Sequence, residues 1–129
     1  MSPNAVKPIA RVVSHAAFAH APAKFTTAPV GSSRRALEKA GWTTKDVDLF
    51  EVNEAFATVA MIAMHDLSVP HDVLNIHGGA CALGHPVGAS GARILGALIN
   101  GLQVNGLKRG LASICLGGGE ATSMAVELV

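Results

Sequence analysis

Three residues of this 129-residue chain combine side-chain type and local sequence in a way that could move protons: His85, Cys115 and Asn53. His85 lies within Gly78 to Ile94, GGACALGHPVGASGARI, in a glycine-lined turn just ahead of a helix of small residues. A neutral imidazole can take a proton from a thiol near physiological pH and later return it. Gly84 permits an unusual backbone conformation beside it, Pro86 stiffens the turn, and a helix starting near Gly88 aims its positive end at the same place. Cys115 closes an apolar run and is followed by Gly117, Gly118 and Gly119. As a thiolate it could abstract the α-proton of a carbonyl compound, with glycine amides holding the resulting enolate or oxyanion. Asn53 ends an expected strand, where its amide can orient a water, donate to a carbonyl oxygen or cap the next helix. A lone histidine is more often a satisfied core residue and a lone cysteine a small buried hydrophobe. The glycines and proline flanking both residues favour the chemical reading here.

The elements that must position these residues follow from the pattern. Ile9 to Ala19 reads as a strand, and Ala21 to Pro29 as a loop. Ser32 or Ser33 is expected to cap a helix through Ala36, Leu37 and Ala40, with Gly41 as its C-terminal cap. Thr43 or Thr44 opens a short turn into a strand over Val47 to Val52. A second helix is expected over Glu54 to Leu67, with Phe56, Val59, Ala60, Ala63 and Leu67 at three- and four-residue steps and Pro70 ending it. Val73 to Ile76 reads as a short strand, and Gly78 to Pro86 as a turn. Gly88 to Leu102 reads as a buried helix whose four glycines call for a very close neighbour. Leu111 to Leu116 and Ala121 to Leu128 read as the last two strands. This order predicts an α/β layered domain with a mixed sheet and packed helices, one domain over residues 1–129.

Half of the chain is hydrophobic and only 15% is charged, which implies a surface meant for another domain or subunit. The net charge of +1 and the scattered Lys and Arg exclude a basic nucleic-acid footprint. No apolar run approaches a membrane span, and MSPNAVKPIA lacks a signal peptide's hydrophobic region, so the expected location is the cytoplasm. Cys81 and Cys115 are then expected to be reduced thiols. The grouping of His65, His71 and His77 with Asp66 and Asp72 crosses a helix end, a proline and a strand, so no metal site is expected. Neither GxxxxGK[ST] nor GxGxxG after a strand is present, which excludes those nucleotide loops.

The order NEAFA (Asn53 to Ala57), GHP (Gly84 to Pro86) and CLGGGEA (Cys115 to Ala121) resembles the C-terminal catalytic half of the thiolase family, of the acetyl-CoA acetyltransferase type. The resemblance runs from about Lys7 to Val129. It implies a thiolase-like layered fold, coenzyme A thioesters as substrates and no separate cofactor. The reaction would be Claisen condensation of two acetyl-CoA, or thiolysis of a 3-ketoacyl-CoA. His85 would activate a nucleophilic cysteine and, with a water held by Asn53, form one oxyanion hole. Cys115 would be acid and base at the α-carbon, and the Gly117 N–H part of a second oxyanion hole. The segment from His20 to Gly31 resembles a loop that touches substrate.

The family's nucleophile lies in its N-terminal half, which these residues do not contain. The resemblance therefore implies a piece of a longer enzyme, inactive alone, with an N-terminal half and further copies of itself as partners. A nucleophilic role for Cys81 is the less favoured reading, because that residue most simply packs in the core. The alternative to an enzyme is an inactive, thiolase-derived binding or scaffold domain.

Overall fold

The computed structural model describes residues 6–129, so the first half of MSPNAVKPIA lies outside the described residues. Four strands, β1 (Ala10–Ala19), β2 (Leu49–Val52), β3 (Arg109–Leu116) and β4 (Glu120–Leu128), form one sheet in the order β1-β4-β3-β2. β2 runs parallel to β3, whereas β4 is antiparallel to both β3 and β1, so the sheet is mixed as the pattern predicts. The helices are α1 (Ala28–Ala40), α2 (Ala57–Leu67), the single turn α3 (Ala80–Leu83) and α4 (Ser90–Val104).

Strand alternation sorts the side chains into two layers. On β3, Leu111 and Cys115 join the core beneath α1 and α2, while Ala112 joins a second core with Ile94, Leu98 and Leu102 of α4. On β2, Phe50 and Val52 face the first layer and Leu49 the second. The same alternation puts Glu51 and Asn53 on the α4 side. Along α4, Ser90, Ile94, Leu98 and Leu102 recur every four residues and are all buried, one stripe laid on the sheet.

Several boundaries differ from the sequence pattern, each for a visible reason. α1 starts at Ala28 with Pro29 in its first turn, a position proline suits, so Ser32 and Ser33 are interior residues and not caps. Both are fully buried, and their hydroxyls meet Ser123 Oγ at 2.6 and 3.2 Å. Pro22–Thr27, expected as loop, is 3₁₀-helical. Gly41 is the left-handed C-cap of α1, as expected. α2 begins three residues late because Phe56 is extended, and it ends at a left-handed Ser68 before Pro70 is reached. Val73 to Ile76 forms no strand: 3₁₀-helical His71–Val73 leads to a lone bridge between Leu74 and Phe50, and Asn75 turns away at φ 50°. Only one face of α4 is buried. A Cβ at Gly101 would lie 3.2 Å from Leu49, whereas Gly91 and Gly96 face open space, so close approach accounts for one of its glycines.

Candidate active site

The two parallel strands end side by side, and Asn53 N–H extends their ladder by donating to Ser113 O at 2.9 Å. The carboxyl ends of parallel strands are where α/β sheets leave room for ligands. Here Asn53 is fully buried one residue beyond β2, and Cys115 lies near the end of β3. The turn before α4 brings His85 over them. His85, Cys115 and Gly117 line one cavity of about 580 Å³ together with Phe25, Phe56 and Thr122. Asn53 stands behind it, with Nδ2 3.4 Å from His85 Nε2. The three residues singled out by type and local sequence thus meet, with Gly117, to which the resemblance assigns an N–H role, on the same cavity wall as His85 and Cys115. Asn53 does not cap α2, whose N-cap is Phe56.

The tight turn between β3 and β4 is closed by Gly119 N–H donating to Leu116 O at 3.2 Å. Gly117, exposed on the cavity wall, keeps its N–H outside that bond. Burial pushes the Cys115 thiol up, so it rests protonated. A proton donor at rest becomes a base only after a first proton has been given away.

Cys81 was expected in the core and is exposed instead. It lines a separate cavity with Glu54 and Met61 that shares no wall residue with the first. The cause is the short helix α3, which turns outward while the Cys81 N–H donates to Glu54 Oε2 at 3.0 Å. Burial acts to raise the Glu54 carboxyl. Bonds from Asn75 and from Cys81, with the charge of Arg93, outweigh it and hold the group low.

Three residues that sequence reasoning missed complete the surroundings. Ser90 Oγ is 2.6 Å from His85 Nδ1, and Arg93 Nη2 donates to Asn53 Oδ1 at 3.0 Å. Glu51, 2% exposed, shares the α4 side of β2 with Asn53. Desolvation pushes its carboxyl up to about 7, the charge of Arg93 opposing and that of Glu54 adding. The available signals were Glu51 two residues before Asn53 on one strand face, and Ser90 and Arg93 three apart on one helix face. Among the described residues, no three His, Cys, Asp or Glu side chains gather to hold a metal ion.

Residues 6–128 match the family model of the thiolase C-terminal domain, and the chain belongs to the thiolase family as that domain. The relatives it is similar to include acetyl-CoA acetyltransferases. It is 48% identical over 122 residues to the acetyl-CoA acetyltransferase of Allochromatium vinosum, covering 95% of this chain and 31% of that protein. The cytosolic acetyl-CoA acetyltransferase of Mus musculus is 45% identical over 122 residues, with 95% and 31% covered. The crystal structure of the Bacillus anthracis acetyl-CoA acetyltransferase superposes with a TM-score of 0.93 at 36% identity, over 96% of this chain and 32% of that one. The chain therefore spans about a third of the length of these relatives.

Proposed function

We propose that this chain supplies the acid–base part of an acetyl-CoA acetyltransferase site, the nucleophilic cysteine coming from an N-terminal half. The reaction is Claisen condensation of two acetyl-CoA to acetoacetyl-CoA, or thiolysis of a 3-ketoacyl-CoA. The observation that carries the reading is the meeting of His85, Cys115 and Gly117 on one cavity wall, with the Asn53 amide against the imidazole.

In the condensing direction, His85 Nε2 takes the thiol proton of the nucleophile, whose sulfur attacks the thioester carbonyl. Coenzyme A leaves as thiolate and takes the Cys115 proton. Cys115, now thiolate, removes the α-proton of a second acetyl-CoA. The enolate carbon attacks the acyl-enzyme carbonyl and expels the nucleophile's sulfur, which recovers its proton from His85. The covalent intermediate divides one hard step into two. A water held by Asn53 together with protonated His85, and separately the Gly117 N–H, would stabilise the oxyanions.

Large apolar side chains stand open around the site: Phe56 is 57%, Val87 80% and Leu116 50% exposed. Such a rim supports docking of the N-terminal half and assembly with further copies of the chain. A cytoplasmic setting belongs to the same proposal, and the name of the mouse relative supports it. No helix among the described residues is long and apolar enough to cross a membrane.

The reading is tested by fusing the chain behind the N-terminal two-thirds of a related acetyl-CoA acetyltransferase and replacing Cys115 by Ser. Condensation should fall by roughly 10²- to 10⁴-fold, the usual weight of a positioned acid–base group, while some acyl transfer to the nucleophile persists, because coenzyme A can leave as a thiolate without the Cys115 proton. Equal loss of both half-reactions would overturn the role given to Cys115.

A further inference from the structure

Arg93, Asn53, His85, Ser90 and the Pro86 carbonyl form one continuous hydrogen-bonded chain. Three of its members are ambiguous by themselves. An asparagine amide can present oxygen or nitrogen to a neighbour, a neutral imidazole can carry its proton on either ring nitrogen, and a hydroxyl can donate or accept. Their orientations are set by what stands at the two ends.

The Pro86 carbonyl can only accept, but it already takes backbone N–H bonds from Ala89 at 2.7 Å and Ser90 at 2.9 Å. The Ser90 hydroxyl reaches it at 3.1 Å as a third donor, so this end holds weakly. Arg93 is the firm end, because a guanidinium can only donate. The atom of Asn53 facing Arg93 Nη2 at 3.0 Å must therefore be Oδ1. That leaves Nδ2 toward His85 Nε2, and a nitrogen facing an N–H donor must offer a lone pair. The proton then sits on Nδ1, which donates to Ser90 Oγ at 2.6 Å.

We propose that Arg93 is a positioning residue that fixes the Asn53 amide and, through it, holds neutral His85 in the tautomer protonated on Nδ1, so that Nε2 carries the lone pair a base needs, held only by the long bond from Asn53 Nδ2. Arg93 is suited to this: among the described residues its Nε and Nη1 are buried without a hydrogen-bond partner, and its Nη2 bond to Asn53 is the one side-chain hydrogen bond it makes. Glu51 is buried on the same side of β2, near enough for the Arg93 charge to oppose the upward push that burial gives its carboxyl. Without a donor-only group here the chain can run in reverse, with Asn53 Oδ1 toward Nε2–H and Ser90 donating to Nδ1. In that direction the imidazole has no lone pair on Nε2 to take a proton. The catalytic meaning of the device rests on the function proposed above, whereas the proton's location does not.

The test is long-range ¹H–¹⁵N correlation of the His85 ring in the 129-residue chain at a pH where the imidazole is neutral. The unmodified chain and Arg93→Lys, which keeps a donor-only group, should both show Nδ1–H. In Arg93→Met the ratio of Nε2–H to Nδ1–H should rise roughly tenfold or more, as expected for loss of one charge-assisted hydrogen bond. Asn53→Asp, which presents only acceptors to the ring, should place the proton on Nε2 with Arg93 intact, and it decides the matter if Arg93→Met does not fold. An Nε2–H tautomer in the unmodified chain, or an unchanged ratio in a folded Arg93→Met or Asn53→Asp chain, would overturn the proposal. Failure of the acyl-transfer reading would leave these spectra unaffected.

Discussion

The side chain of Asn75 pairs with both backbone polar groups of Val52: Oδ1 accepts from Val52 N–H at 2.8 Å, and Nδ2 donates to Val52 O at 2.9 Å. β2 lies at the edge of the sheet, so this amide stands in for a missing strand next to the residue that presents Asn53. Asn75 also holds Glu54 through a 2.8 Å bond and adopts φ 50°, a region asparagine tolerates better than most residues. Asn75→Ala should cost about 2–4 kcal/mol in urea unfolding, from two buried backbone groups left unpaired and a strained φ. A loss under about 0.5 kcal/mol, the level of an ordinary surface substitution, would show that this clasp does not hold the edge.

Gly119 limits the turn that carries Gly117. Its φ is +101°, and a Cβ there would run into the His20 carbonyl oxygen and lie 3.1 Å from Ala21 C and Pro22 Cα. These obstacles are backbone and cannot swing aside. Gly119→Ala should cost at least about 2 kcal/mol by the same assay. Gly117→Ala, with open space at its Cβ position, should change stability by less than about 1 kcal/mol. Equal effects of the two would contradict this account of the turn.

Glu51 makes a stability prediction whose sign is fixed by its burial. Its folded value is about 7 against an ordinary 4.5, so between those pH values the folded chain binds the proton that the unfolded chain has lost. Stability must then fall as pH rises through this window, by roughly 2 kcal/mol once relaxation around the carboxylate is allowed for. Below the window both states are protonated, and above it the loss is complete. Urea unfolding at pH 5 and pH 8 should show this difference between the unmodified chain and Glu51→Gln, in which the Glu51 contribution is absent. Identical pH profiles would mean that the carboxyl is not held in a low-dielectric site.

Much of this was legible in local sequence, because local sequence encodes caps, turns and periodicity. Gly41 as a C-cap, the His85 turn and the β3–β4 hairpin each rest on a few adjacent residues. Ser32 and Ser33 misled because helix-start chemistry and buried cross-sheet hydroxyl bonding use the same residue type, and only the sheet beneath α1 distinguishes them. Val73 to Ile76 has strand-like side chains, but a left-handed Asn75 ends its pairing after one bridge. Arg93 was out of reach for a different reason. Its role depends on α4 crossing the face of β2 that carries Glu51 and Asn53, about forty residues earlier in the chain.

The division of the site is tested most directly by acetoacetyl-CoA thiolysis, assayed with the 129-residue chain alone and with its fusion behind the N-terminal two-thirds of a related acetyl-CoA acetyltransferase. Near-ultraviolet circular dichroism on each sample establishes that it is folded. The chain alone should be folded and inactive, and the fusion should turn over and lose that activity on Cys115→Ala. Turnover by the chain alone would mean that Cys81 or Cys115 acts as the nucleophile. That result, or an active Cys115→Ala fusion, would contradict the assignment of this chain as the acid–base part of the site.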